Sequence, residues 1–167
     1  MTLNREMVFN GVWFYLTWLS AVWGQTAFLP LTAALLLLHG FIHRKHPTEF
    51  LLILIVASIG IEIDQLLSWS GFFIFKDSIW LPEWLLLLWC AFAATLRHSL
   101  NFLAGSPKLA AVFGAIGGSS SYFAGVQLGA VEFGFSLIFS LTVLAFIWAV
   151  LMPLFFQINH WLSRKFA

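Results

Sequence analysis

Apolar runs long enough to cross a lipid bilayer follow one another through almost the whole chain, and only short polar segments separate them. A hydrocarbon core about 30 Å thick needs roughly 20 apolar residues for each helical span. Of the 167 residues, 61% are hydrophobic and 9% are charged. Soluble domains carry about 25% charged residues. The sequence therefore predicts an all-α fold, a polytopic membrane helix bundle that forms a single integral-membrane domain over residues 1–167.

Breaks in hydropathy, with Pro and Gly at several of them, divide the chain into six predicted transmembrane helices. The predicted spans are 8–23, 26–41, 49–69, 82–98, 109–128 and 134–156. Thr48 is predicted to be the N-cap of the third span, since a hydroxyl there can accept from early backbone donors. The residues after 156 are predicted to form a short amphipathic tail. An alternative with five spans merges the first two runs.

Basic residues give the predicted bundle a direction. With six spans, Lys76 lies on one side and the other seven Lys and Arg residues lie on the opposite side; these seven are Arg5, Arg44, Lys45, Arg97, Lys108, Arg164 and Lys165. Lys and Arg accumulate on the cytoplasmic side of membrane proteins. We therefore predict a multi-pass protein of the bacterial inner (cytoplasmic) membrane with both termini cytoplasmic. Arg97 is predicted to anchor this topology by reaching the headgroups.

Two acids interrupt the third span, where a charged side chain costs about 2.5–3.5 kcal/mol on insertion scales. Glu62 and Asp64 are two residues apart and so point about 200° apart on a helix, which makes them a poor acid–base pair. We predict that Asp64, Glu62, Gln65, Tyr122 and Gln127 bind a ligand in an intrabundle cavity. A purely structural hydrogen-bonding role for the acids is the alternative.

His98 and Ser99 are the candidates for catalysis if the chain is an enzyme, because an imidazole beside a hydroxyl can serve acid–base or nucleophilic chemistry. The sequence offers no oxyanion-hole turn and no third partner for them. His98 and Asp64 are also predicted to lie at different depths in the membrane, with His98 at the inner end of the fourth span and Asp64 in the outer half of the third. No catalytic residue is therefore predicted outright.

Three histidines, His39, His43 and His46, follow one another at spacings of four and three. On a continuous helix these intervals would bring three imidazoles onto one face, as in a metal site with Glu49 as the one nearby carboxylate. Pro47 and the interfacial position favour a solvated loop instead. The sequence prediction is accordingly that no metal is bound.

Small residues dominate the fifth span. Gly114, Gly117, Gly118 and Gly125 are predicted to pack against another helix, since glycines at spacings of three and four allow close backbone approach. The alternative is a helix interrupted near the middle of the membrane, whose freed backbone groups line a substrate cavity together with Tyr122.

Residues 81–84 (LPEW), 91–100 (AFAATLRHSL) and 114–129, which contains GAIGG and YFAGVQLG, carry a family resemblance, and residues 60–64 (GIEID) also fit. On these motifs the chain resembles an uncharacterised family of bacterial inner-membrane proteins known as domain of unknown function 2878. It departs from the pattern at Ser119, where a proline is expected. The resemblance implies a small polytopic inner-membrane protein with a lipid-related role, and it brings no established activity, cofactor or catalytic residue.

The leading functional hypothesis is binding or transport of a small or lipid-like molecule. The alternatives are a membrane-embedded enzyme of fatty-acyl or isoprenoid lipid metabolism and an accessory subunit of a membrane complex. The predicted partners are membrane lipids, the lipid-like or small-molecule ligand and, for the accessory subunit, another membrane protein. With a net charge of +1, the chain lacks the excess of basic residues that is typical of nucleic-acid-binding proteins. No cofactor is predicted.

Overall fold

The computed structural model describes residues 5–76 and 78–166 and is almost entirely α-helical. In chain order the elements are α1 (Arg5–Gly24), α2 (Leu29–Ile42), α3 (Pro47–Trp69), β1 (Phe73–Ile74), α4 (Glu83–Ala93), α5 (Pro107–Gln127), β2 (Glu132–Phe133) and α6 (Leu137–Lys165). Short 3-10 helices cover Gln25–Phe28 and Asn101–Leu103. The predicted all-α class is confirmed.

Four helical stretches within the described residues are long and apolar enough to cross a membrane, judged by length and composition. They are Arg5–Ile42, Pro47–Trp69, Pro107–Gln127 and Leu137–Lys165, and the apolar α4 is shorter. Their outer faces carry large hydrophobic side chains, with Leu37 75%, Phe146 76% and Ile138 81% exposed. Monomeric soluble proteins rarely expose apolar surface on this scale, so the composition and the surface both indicate a membrane protein.

The first of these stretches folds back on itself into a helical hairpin. Gln25 has a left-handed backbone, with φ at 46°, in the turn between α1 and α2. The indole Nε1 of Trp13 donates to the carbonyl of Leu35 at 2.9 Å, and the hydroxyls of Ser20 and Thr32 are 2.8 Å apart. Residues early in α1 therefore lie beside residues late in α2, which makes the two helices antiparallel.

A two-stranded antiparallel ribbon, absent from the sequence prediction, joins two connections. Phe73 pairs with Phe133 and Ile74 with Glu132, and Gly134 donates from its backbone to the carbonyl of Phe72 at 3.0 Å. The ribbon turns Phe73 inward, so that it is 1% exposed. The pairing of two distant connections explains why Phe73 is buried, whereas Ile74, on the other face of the ribbon, is 48% exposed.

Long-range hydrogen bonds sort the connections into two ends of the bundle. Asn10 in α1 accepts from Ser99, and Arg97 reaches Asn159 in α6, so the start of α1, the α4–α5 connection and the last turns of α6 share what we call the basic end. The α2–α3 connection joins them through Glu49, which meets His98. The β1–β2 ribbon and the α1–α2 turn form the opposite, ribbon end.

Glycines set the closest helix contacts. A Cβ on Gly60 of α3 would overlap the ring of Trp89 in α4, and a Cβ on Gly118 of α5 would overlap the ring of Trp148 in α6. Gly114 faces the backbone of Trp148 at the same contact, and Gly125 lies near Val22 and Val131. The packing role predicted for Gly117 is not observed, because nothing lies within 4 Å of its Cβ position.

Several predicted boundaries need correction. The third helix begins at Pro47, one residue before Thr48, so Thr48 is not the N-cap and its hydroxyl instead accepts from Arg97 at 2.8 Å. The fourth helix ends at Ala93 and continues only as turns. Leu137–Lys165 is one helix that includes the predicted tail. Pro107–Gln127 is continuous, which rules out the interrupted fifth helix.

Candidate functional site

Asp64 is the most deeply buried acid of the helix bundle, 2% exposed and held by two donors. The hydroxyl of Tyr122 donates to its two carboxylate oxygens at 2.7 and 2.6 Å, and the Nε1 of Trp89 donates to Oδ2 at 2.7 Å. A buried carboxylate without such donors would be costly. The three side chains tie α3, α4 and α5 together at one point.

Aromatic rings surround this network. The rings of Trp89 and Trp148 stack with centroids 5.4 Å apart at 4°, and those of Phe73 and Tyr122 stack at 4.9 Å and 7°. Offset stacking of this kind adds to the energy of burial. Gly60 and Gly118 make the room that the two indoles need. The donors to Asp64 are thus held in fixed orientations by their own packing.

A cavity of about 260 Å³ lies on the other side of Tyr122 and Trp89. Its walls come from α1, α4, α5 and α6, and its lining is mainly aromatic and aliphatic; it includes Phe14, Trp18, Trp84, Leu88, Trp89, Phe92, Phe113, Tyr122, Trp148 and Met152. Phe113 is 47% exposed and Gly117 is also exposed, and both line the cavity. The cavity therefore reaches the outer surface of the bundle along α5.

Most polar groups in the cavity wall are already hydrogen-bonded within the protein. Trp18 donates to the hydroxyl of Ser121 at 2.9 Å, Thr95 donates to the carbonyl of Phe92, and Ser99 donates to Asn10. Within 5–76 and 78–166, no histidine, lysine or arginine lines the cavity. Such a wall favours an apolar ligand over a charged one.

The structure separates the residues that the sequence grouped as a ligand site. Tyr122 lines the cavity, whereas Asp64 lies behind it. Glu62 is exposed on another face of α3, as the helical spacing predicts. Gln65 donates to the carbonyl of Ile79 and accepts from the backbone of Leu81, so it fixes a connection. Gln127 is exposed at the end of α5 and, among the described residues, makes no hydrogen bond to this network.

A second polar cluster lies at the basic end. The Nε2 atoms of His39 and His98 are 3.0 and 2.9 Å from Oε1 of Glu49, and the Nδ1 of His43 is 3.9 Å from Oε2. His39 and Glu49 are buried, 6% and 4% exposed. Burial lowers the pKa of His43 below its ordinary value, while the Glu49 carboxylate acts in the opposite direction. These residues do not form the solvated loop that the sequence favoured.

Sequence reasoning considered His39, His43 and Glu49 together but missed His98, because the members of the cluster come from three segments. His39 belongs to α2, Glu49 to the first turn of α3, and His98 to the α4–α5 connection. The spacing of four between His39 and His43 was the available signal. His46, the third member of the predicted set, is exposed and lies outside the cluster.

The neighbours of His98 have separate roles. Ser99 donates to Asn10 at 2.7 Å and not to His98, so the two do not make a nucleophile–base pair. Arg97 donates from Nε to Asn159 at 2.7 Å and from Nη1 to Thr48 at 2.8 Å. Arg97 thus joins α3 and α6 to the α4–α5 connection, and it is not directed toward headgroups as predicted.

Comparison with known proteins agrees with the motifs in the sequence. A family model described as "Protein of unknown function (DUF2878)" matches residues 7–154. The chain therefore belongs to this family, as its resemblance predicted. No curated protein and no solved structure matches it.

Proposed function

We propose that this member of the DUF2878 family is a six-span protein of the bacterial inner membrane that binds a compact lipid-like molecule in the cavity between α1, α4, α5 and α6. The observation that carries the proposal is the apolar cavity beside the Asp64 network, which opens sideways along α5. In a membrane this opening would face acyl chains. A lipid-like molecule could then enter without passing through water.

Charge and geometry support the six-span arrangement. The seven bases that the sequence placed on one side belong to elements of the basic end, and Lys76 belongs to the ribbon end. The hairpin of α1 and α2 supplies two crossings from one continuous helical stretch. α4 alone is about 16 Å long at 1.5 Å per residue, and the turns at 94–100 would extend the fourth crossing. Both termini would then lie in the cytoplasm.

Cavity size limits the ligand. Typical small-molecule pockets measure about 300–1,000 Å³. A cavity of about 260 Å³ fits a compact apolar molecule or the end of an acyl or isoprenoid chain, rather than a whole phospholipid. Within the described part of the chain, the indole Nε1 atoms of Trp84 and Trp148 have no hydrogen-bond acceptor. They would be the donors for a carbonyl or hydroxyl on the ligand.

Photolabelling tests the proposal. The purified protein would be irradiated with a diazirine-bearing fatty acid and, separately, a diazirine-bearing isoprenoid alcohol, and the labelled peptides mapped by mass spectrometry. We expect labels on α4 and α5 at cavity residues such as Leu88 and Phe113. Gly117→Trp should reduce labelling several-fold, because position 117 lines the cavity and has free space at its Cβ.

Ile116→Trp is the matched control, because Ile116 is 66% exposed and does not line the cavity. It should label like the native chain. Labels spread evenly over the outer faces of all helices, and insensitive to Gly117→Trp, would show that the probes report only the surrounding lipid or detergent.

A further inference from the structure

We propose that His39, His43, His98 and Glu49 form a binding site for a divalent transition-metal ion of the zinc class. This cluster lies at the basic end, outside the proposed lipid cavity, and the site does not depend on any ligand in that cavity. The metal would fasten the end of α2 and the start of α3 to the α4–α5 connection.

Distances support the site. One ligand atom from each of the four residues lies within 4.8 Å of all the others. Zinc bonds of about 2.0–2.2 Å in a tetrahedron place ligand atoms about 3.3 Å apart. The separations from the Glu49 oxygens, 3.0 Å for His39, 2.9 Å for His98 and 3.9 Å for His43, lie on both sides of that value. Small side-chain rotations would therefore complete the coordination.

The donor set selects the kind of metal. Calcium and magnesium take oxygen ligands, whereas imidazole nitrogen suits zinc and its neighbours in the first transition row. Cys90, the one cysteine of the chain, lies in α4 and does not belong to the cluster. Three imidazoles and one carboxylate fill a tetrahedral shell with protein ligands, which is typical of structural rather than catalytic zinc sites.

Neighbouring groups hold the ligands in place. The rings of Trp13 and His39 stack with centroids 4.6 Å apart. Arg97 directs its hydrogen bonds to Thr48 and Asn159, which leaves the Glu49 carboxylate to the histidines. A pocket of about 380 Å³ at the same end is lined by all four ligands and provides a path for the ion. Supporting contacts of this kind orient ligands at metal sites.

Metal content gives the direct test. The chain would be purified in detergent without a polyhistidine tag, stripped with chelator, dialysed against Zn²⁺ and measured by elemental mass spectrometry. We expect one zinc per chain, together with a rise in melting temperature, because an ion that binds only the folded state stabilises it. In the native chain, replacement of zinc by Co²⁺ should give the visible absorption of a four-coordinate site with nitrogen and oxygen ligands. This measurement requires no variant.

Variants locate the ion. His98→Ala and Glu49→Gln should each weaken zinc binding by more than about 10-fold, the lower limit seen when even supporting residues of metal sites are changed. His43→Gln, at the most exposed of the ligands, serves where the first two fail to fold. His46→Ala and His160→Ala are the matched controls, since both histidines are exposed and outside the cluster.

Two results would overturn the site. One is a native chain that takes up no more zinc than the His98→Ala variant, which would make the cluster a hydrogen-bonded group only. The other is an equal loss of zinc in His46→Ala or His160→Ala, which would show that exposed histidines bind it. Full occupancy in both controls, with loss in the ligand variants, supports the site.

Discussion

Tyr122 donates its hydroxyl to both carboxylate oxygens of Asp64, at 2.7 and 2.6 Å, across the contact between α5 and α3. The hydroxyl of Tyr122 thus satisfies the hydrogen-bonding needs of a buried acid. The ring of Tyr122 stacks on Phe73 and lines the cavity. The acid that the sequence marked as costly lies behind the cavity wall and holds two residues of that wall, Tyr122 and Trp89, in place.

Removing the hydroxyl should destabilise the bundle. Tyr122→Phe leaves the ring in place but takes one of the two donors away from Asp64, which is 2% exposed. An unsatisfied buried polar group costs about 1–3 kcal/mol, so the free energy of unfolding should fall by that amount. Reversible unfolding by sodium dodecyl sulfate in mixed micelles would measure it. Tyr15→Phe is the control, because Tyr15 is 61% exposed, and an equal loss there would contradict the role of the hydrogen bonds.

The overall fold could be predicted because its main signals are local. A run of apolar residues and a Pro or Gly break identify a membrane helix without knowledge of its neighbours. Four of the predicted spans coincide with α1, α2, α3 and α5 to within a few residues, and the sixth matches the start of α6 but ends well before Lys165. α4 was predicted too long, because the sequence at 94–98 does not reveal that the chain there forms turns held by Arg97 and its neighbours.

The two polar sites could be predicted only in part, because their partners are far apart in the sequence. Asp64 was recognised from its cost in a span, but its donors Trp89 and Tyr122 lie 25 and 58 residues away. His98 meets Glu49 across 49 residues. Neither pairing itself leaves a periodic signal. Depth in the membrane was the guide at the first site and the spacing of His39 and His43 at the second, and neither of them reports lateral proximity.

Replacement by alanine should have opposite effects on stability at the adjacent glycines Gly117 and Gly118 of α5. In Gly118→Ala the new methyl group would overlap the ring of Trp148. Overpacking of this kind costs about 1–3 kcal/mol, and the free energy of unfolding should fall accordingly. In Gly117→Ala the methyl group meets open space, and the better helix propensity of alanine should add up to about 1 kcal/mol. Equal stability of the two variants would mean that α5 and α6 do not meet at Gly118.

Arg97 should not tolerate replacement by lysine. Its guanidinium donates to Asn159 and Thr48 from two different nitrogens, and a lysine ammonium cannot reproduce that fork. Loss of one such bond costs about 1.5–3 kcal/mol, so Arg97→Lys should lower the melting temperature of the detergent-solubilised protein. Arg164→Lys, at an exposed position near the end of α6, should leave it unchanged. A wild-type melting curve for Arg97→Lys would show that the fork does not stabilise the fold.

The six-span arrangement predicts which exposed positions share a side of the membrane. After Cys90→Ala removes the one native cysteine, single cysteines would be placed by Thr26→Cys and Lys76→Cys at the ribbon end and by Lys45→Cys and Lys108→Cys at the basic end. All four positions are exposed. Because Lys and Arg are retained on the cytoplasmic side, a membrane-impermeant maleimide added to intact spheroplasts should label the first pair only.

Permeabilised spheroplasts provide the control for this labelling. All four variants should then react, since each position is exposed in the folded bundle. Thr26→Cys is the decisive variant, because it lies in the turn between α1 and α2. If it reacted only after permeabilisation, as Lys45→Cys should, the α1–α2 hairpin would not cross the membrane twice. Only α3, α4, α5 and α6 would then cross, which would overturn the six-span arrangement in favour of four spans.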